Sequence, residues 1–198
     1  MTDNETVSVY DARARDYADL TDTTGRVDPS LTAFMTAVPA GGTVLDLGCG
    51  PGAASATMAD NGFTVEATDA SAEMVALANR HSGVTARVAV FEDIVDDCVY
   101  DGIWANFSLL HAPRENMPRH LQALHRALRP GGTFHIGTKL GEGEQRDGIG
   151  RFYTYYTDAE LSGLLETAGF VIDNRRFGQD IGLDGTMADW ICILSHKT

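Results

Sequence analysis

The sequence predicts a single α/β domain, a parallel sheet with helices on both faces, and three observations carry that expectation. Short apolar segments of strand character alternate with helical stripes along most of the 198 residues. The glycine-rich turn "GCGPG", residues 48–52, follows directly on the aliphatic segment "GGTVLDLG". Capping residues and glycines stand where the pattern changes. Such an alternation implies a parallel sheet covered on both sides, whose ligands bind beyond the carboxyl ends of the strands.

The elements follow in order. "VYDARARDYADL" sets Tyr10 and Tyr17 on one helix face with Ala14. "RVDPSLTAFMTAV" reads as a helix capped by Asp28, with Pro29 in its first turn and Leu31, Phe34, Met35 and Val38 on one face. "GGTVLDLG" is a buried strand ending at the glycines. "PGAASATMADNG" is the helix after it, with Gly62 placed to end it. "FTVEATD" alternates like a second strand, and "SAEMVALANRH" is a helix with Ser71 as its cap. "VTARVAVF" and "DGIWANFSLL" give strands three and four. The stripe Leu121, Leu124, Leu128 gives a helix that stops at "RPGG", before the strand "TFHIGTK". "TDAELSGLLETAGF" carries a T-x-x-E capping box, Thr157 and Glu160, and a terminal Gly169. Two strands, near 170–177 and 188–195, complete the sheet.

The whole composition narrows the function. Against 28 acidic residues stand 15 basic ones, a formal charge of −13. A surface that acidic repels phosphate backbones, so nucleic acid is not the expected partner. The apolar runs are too short to span a membrane, and the polar, acidic start "MTDNETVSVY" lacks the basic and apolar regions of a secretory signal. Cys49, Cys98 and Cys192 are far apart and form no C-x-x-C pair, which fits reduced thiols in a cytoplasmic protein and no metal centre.

The turn itself has two readings. Gly48-Cys49-Gly50-Pro51-Gly52-Ala53 satisfies G-x-G-x-x-A, a dinucleotide fingerprint, and a nicotinamide-dependent oxidoreductase is the corresponding function. With Asp46 it also satisfies D-x-G-x-G-x-G. Pro51 has no N–H to give a pyrophosphate, and Asp46 places negative charge where phosphate would lie. Both features suit a cationic cofactor, and S-adenosylmethionine carries a sulfonium and an ammonium but no phosphate.

With these motifs the sequence resembles the class I S-adenosylmethionine-dependent methyltransferases over nearly its whole length. The resemblance implies a Rossmann-like three-layer sandwich, its seven-stranded sheet mostly parallel with an antiparallel last strand. It implies one domain over residues 1–198, with 1–38 a helical lid region and 43–198 the sheet core. The turn, Asp46, Gly48, Cys49, Gly50 and Gly52, would wrap the methionine end of the cofactor. Asp69 would bind the ribose hydroxyls, Ala70 and Met74 would border the adenine, and "FEDI" would offer Asp93 to the exocyclic amine and Ile94 to the ring. Asn106 and Phe107 would lie near the methionine moiety, with Tyr10 and Tyr17 in a lid. The product is then S-adenosylhomocysteine.

The acceptor is expected to be a small molecule, methylated at O, N or C. "NFSLLH" stands where enzymes that methylate base amino groups carry an N-P-P-Y type of motif. His111 is the candidate general base, its alternative being a backbone hydrogen bond. "LGEGEQRDGIGRFYTYY" reads as irregular and should border the acceptor, offering Arg146, Arg151, Tyr153 and Tyr155 to an anionic or aromatic group. Its alternative is a solvated loop. A protein that binds the cofactor without turnover also fits these residues. So do plainer roles: helix cap for Asp69, turn residue for Asp93, core for Met74 and filler for Cys49.

Overall fold

The computed structural model describes residues 3–21 and 28–198. Residues 1–2 and 22–27 of the expected lid region lie outside them. The N-terminal part forms α1 (Asn4–Ala12), α2 (Ala14–Thr21) and α3 (Pro29–Ala37). Tyr10 and Tyr17 therefore sit on two helices, because the backbone leaves helical angles at Arg13 (φ −119°, ψ 22°). Asp28 caps α3, its side chain accepting from Ser30 N at 2.8 Å, with Pro29 in the first turn.

Strand and helix then alternate as β1 (Thr43–Leu47), α4 (Ala53–Asp60), β2 (Thr64–Asp69), α5 (Ala72–Ala78), β3 (Thr85–Val88) and β4 (Tyr100–Asn106). The remainder is α6 (Met117–Ala127), β5 (Leu128–Lys139), β6 (Glu144–Arg146), β7 (Phe152–Thr154), α7 (Asp158–Thr167), β8 (Phe170–Ile181) and β9 (Met187–Lys197). Ser71 caps α5 through Met74 N, and Thr157 caps α7 through Glu160 N. The Glu160 side chain pairs with Arg114 instead of returning to the cap, so half of the expected box forms.

Seven strands lie in the order β3-β2-β1-β4-β5-β9-β8, with β9 antiparallel to both neighbours and the other pairings parallel. From β1 the chain moves outward to β2 on one side, whereas from β1's other neighbour, β4, it moves outward to β5 on the opposite side. The crevice at that switch point is where this class of sheet binds ligands. Alternate residues of the central strands supply two cores. Leu45, Leu47, Ile103 and Phe134 pack with α6 and α7, while Val44, Val65 and Trp104 pack with α3 and α4.

Two segments depart from the expected pattern. The "RPGG" turn is a bulge within β5, pairing moving from Tyr100↔Leu128 to Gly102↔Thr133. The stretch after β5 is not irregular: β6 and β7 pair as a small hairpin, with Arg146 opposite Phe152. Among the described residues no helix is long and apolar enough to cross a membrane.

Close approach of α3 to the sheet depends on Gly102. A Cβ there would lie 2.6 Å from Val38 Cγ2 and 2.8 Å from Phe34 Cζ, both buried. Gly102→Val should therefore destabilise by about 1–3 kcal/mol through overpacking, read as a lower midpoint in urea with an unchanged slope.

Candidate cofactor and active site

The glycine turn is shaped by contacts that exclude side chains. Gly48, Gly50 and Gly52 all hold positive φ, at 75°, 54° and 88°. A Cβ on Gly48 would come 2.3 Å from Ser108 Cβ, and one on Gly52 would come 2.8 Å from Ala78 Cα. Three N–H groups tie the turn to the end of β2: Gly48 and Cys49 donate to Thr68 O at 2.8 and 2.9 Å, and Gly50 donates to Asp69 Oδ2 at 2.9 Å. Asp69 Oδ1 accepts from Ser71 N, also at 2.9 Å. Burial raises the Asp69 pKa against those backbone hydrogen bonds.

Beside this turn opens a cleft whose empty space, with the solvent at its mouth, is about 860 Å³. Ten of the expected residues line it: Tyr10, Tyr17, Gly48, Gly50, Asp69, Ala70, Met74, Asn106, Phe107 and His111. Two buried hydroxyls on its wall, Thr68 Oγ1 and Ser108 Oγ, have no hydrogen-bond partner. An unmatched buried hydroxyl is costly, so this wall suits a polar ligand. The described lining residues include the carboxylates Asp3, Asp69 and Glu92 and no lysine or arginine.

Several expected residues are not on that wall. Asp46 lies beneath the turn, 2 % exposed, accepting from Ser55 Oγ at 2.6 Å. Burial pushes its carboxyl up to about 7 against that hydrogen bond, and the Asp69 charge adds to the rise. Cys49 packs with Ala67, Val75 and Ala78, its thiol pushed up by burial, which matches the filler role. Gly52 serves as the N-cap of α4. Asp93 is exposed and turns back to accept from Val90 N at 3.0 Å, while Ile94 sinks into the main core. The single 3₁₀ turn Phe91–Asp93 presents Phe91 and Glu92 to the cleft instead. That shift of one or two positions has no signature in "FEDI".

The acceptor residues expected after β5 form a buttress behind the cleft. Arg146 is exposed and pairs with Asp3 at 2.8 Å, drawing the hairpin onto α1. Phe152 N donates to Thr6 Oγ1 at 2.8 Å. Arg151, 2 % exposed, is paired with Asp147 through Nε at 2.9 Å and lies over the rings of Tyr10 and Tyr153. Tyr155 stands beside Tyr153 and Gly141. None of Arg146, Arg151, Tyr153 and Tyr155 lines the cleft, because the hairpin turns them toward α1 and one another.

This buttress fixes His111. Its Nδ1 meets Phe152 O at 2.6 Å, and a carbonyl only accepts, so Nδ1 carries the hydrogen. Nε2 is then the acceptor, 2.9 Å from the Tyr10 hydroxyl, which also accepts from Arg151 Nη1 at 3.1 Å. Burial lowers the His111 pKa to about 4 despite the Phe152 hydrogen bond, with the Arg151 charge working the same way. His111 is therefore neutral at pH 7, and its backbone partner comes from the hairpin. Among the described residues no group of His, Cys, Asp and Glu could hold a metal ion.

Two outcomes follow from these buried charges. The folded chain holds the Asp46 proton more tightly than the unfolded chain does. Its contribution to stability is present below about 3.8 and lost as pH rises through about 7. The melting temperature of Asp46→Asn relative to wild type should be lowest below about pH 4, rise between about 4 and 7 and level off by pH 8; parallel melting profiles would refute the shift. Arg151→Ala leaves Asp147 buried without its partner, a loss of about 3–5 kcal/mol expected in urea denaturation.

Comparisons with known proteins agree with this geometry. Residues 44–132 match the family model described as a methyltransferase domain. The malonyl-[acyl-carrier protein] O-methyltransferase of Enterobacter lignolyticus is 34% identical over 113 residues, 55% of this chain and 44% of that protein. The cypemycin N-terminal methyltransferase of a Streptomyces species is 31% identical over 156 residues, 75% and 64% of the two chains. The chain thus spans less than two thirds of either relative. Among solved structures, the Burkholderia thailandensis 1,6-didemethyltoxoflavin-N1-methyltransferase, with bound 1,6-didemethyltoxoflavin and S-adenosylhomocysteine, superposes with a TM-score of 0.78 at 23% identity, covering 97% of this chain and 87% of that one. The [4+2]-cyclase SpnF shares the fold at a TM-score of 0.77 and 18% identity, covering 99% and 96%. The domain match falls on the strands that carry the glycine turn, Asp69 and Asn106 into one acidic cleft, and residues 44–132 are on that ground a methyltransferase domain of the class I S-adenosylmethionine-dependent kind.

Proposed function

We propose that the protein transfers a methyl group from S-adenosylmethionine to a small-molecule acceptor, at O, N or C. One observation carries the reading: the cleft at the switch point has carboxylates and unmatched hydroxyls on its described walls and no cation to hold phosphate. Asp69 would take the ribose hydroxyls with the lone pairs that Gly50 and Ser71 leave open. Gly48 and Gly50 would admit the methionine end, and Ala70, Met74 and Phe91 would border the adenine. The cofactor supplies a methyl group on a cationic sulfur, so this chain's task is to orient the acceptor and exclude water. We read α1 and α2 as the lid that does so, within one domain of a cytoplasmic protein.

The acceptor would approach the side walled by Tyr10, Phe107, His111 and Ala112. Neutral His111, with Nε2 already engaged by Tyr10, is a weak base. This favours an acceptor that brings its own lone pair, as a carboxylate or an amine does. The first two relatives are named for O-methylation and for N-terminal methylation, which fits that range. Binding without methyl transfer is the second reading, since a [4+2]-cyclase has the same fold.

Calorimetry should show S-adenosylhomocysteine binding and no binding of NADH; the reverse preference would remove the reading. Release of S-adenosylhomocysteine from S-adenosylmethionine across a metabolite panel separates transfer from binding alone. Asp69→Ala should weaken S-adenosylhomocysteine by roughly ten- to a hundredfold, the worth of about 1.5–3 kcal/mol for a charged hydrogen bond, with circular dichroism unchanged.

A further inference from the structure

Asn106 ends β4 on the cleft wall, and its side chain lies across β5 in a slot that only glycine leaves open. Its register partner is Gly137, where a Cβ would stand 2.4 Å from Asn106 Oδ1. In that slot Oδ1 is met by His135 Nε2 at 3.0 Å. Cys192 Sγ approaches the same oxygen at 3.9 Å. Burial pushes the Cys192 thiol up to about 12, so it is protonated and can act as a donor. A thiol donating to this atom assigns it as the amide oxygen, and His135, which meets the same oxygen, therefore carries its hydrogen on Nε2.

His135 has little freedom to do otherwise. It is 1 % exposed and stacked on Trp104, its cross-strand partner, with ring centroids 3.7 Å apart and planes 13° apart. Burial lowers its pKa to about 3, so the ring is neutral and holds one proton through the physiological range. The next residue after Asn106 is also held firmly. Phe107 takes a left-handed φ of 56°, uncommon for a bulky side chain, while its N–H donates to Gly137 O at 2.9 Å. The strand end is thus clamped to β5 by backbone, by a glycine slot and by an imidazole.

We propose that His135 is a positioning residue that holds the Asn106 carbonyl back from the cleft, so that the amide NH2 is the group Asn106 offers to a ligand. Oxygen and nitrogen of a side-chain amide are nearly the same size, so the slot alone does not choose between its two orientations. His135 makes the choice. An NH2 group donates and does not accept, so it fits the anionic part of the ligand, and the methionine carboxylate is the anionic group of S-adenosylhomocysteine. This inference rests on the cofactor reading above and adds the residue that orients one of its contacts.

The test is calorimetry with two ligands, S-adenosylhomocysteine and 5′-methylthioadenosine, which lacks the amino-acid part. His135→Phe keeps a ring on Trp104 but removes the donor. It should weaken S-adenosylhomocysteine about three- to tenfold, the range of one neutral hydrogen bond, and leave methylthioadenosine unchanged. His135→Gln should recover most of the loss, and His135→Phe with Asn106→Ala should be no weaker than Asn106→Ala alone. Asn106→Asp, which replaces the NH2 by an oxygen, should weaken S-adenosylhomocysteine more than Asn106→Ala does, and this variant decides the matter if His135→Phe fails to fold. Equal loss for both ligands, an additive double variant, or Asn106→Asp binding as wild type does would overturn the inference. Wild-type protein that binds neither ligand overturns the cofactor reading and this inference with it.

Discussion

The site exists because one carbonyl and one carboxylate at the end of β2 gather the backbone of the turn after β1. Thr68 O takes two N–H groups and Asp69 takes a third, so the two strands end in register. Every other feature of the cleft is placed relative to that junction. Gly48 can lean on Ser108 only because the turn is held there, and Met74 reaches the wall because Ser71, bonded to Asp69, starts α5 at that point. The arrangement needs three successive left-handed glycines at alternate positions, which no other residue supplies without strain.

Much of this is legible in the sequence. Strands, helices and caps follow local rules of periodicity and hydrogen bonding, and Asp28, Ser71 and Thr157 cap as their chemistry requires. The backbone half of the cleft wall is legible too, because a glycine turn after a strand and an acid at the next strand's end are local signals. What depends on a long-range partner is not. Asp46 looks from sequence like a charge at the mouth of the site, yet a serine nine residues on holds it below. Arg151 and Tyr153 look like acceptor ligands, but their aromatic and acidic partners sit on α1 and within the same hairpin. His135 shows no pattern at all, since its meaning depends on which residue lies beside it on the neighbouring strand.

The same contrast separates rigid from adjustable parts of the cleft. One wall is sheet and glycine turn, tied by main-chain bonds and buried between two cores. The opposite side is α1 against a hairpin of three-residue strands, tied by Arg146, Thr6, Tyr10 and Arg151. An exposed ion pair such as Arg146–Asp3 contributes under about 1 kcal/mol, so the buried link to α1 is Arg151, which Asp147 holds against Tyr10.

That cover also imposes an order on assembly. The carboxylate of Asp3 and the guanidinium of Arg146 are 143 positions apart, so α1 leaves the ribosome long before its partner is made. At about 5–20 residues per second that interval is roughly 7–30 s. For much of it the β1–β2 junction can form while the side of α1 that meets the hairpin has no partner. The sheet wall of the cleft is thus the early half of the molecule, and closure of the cleft is a late event of synthesis.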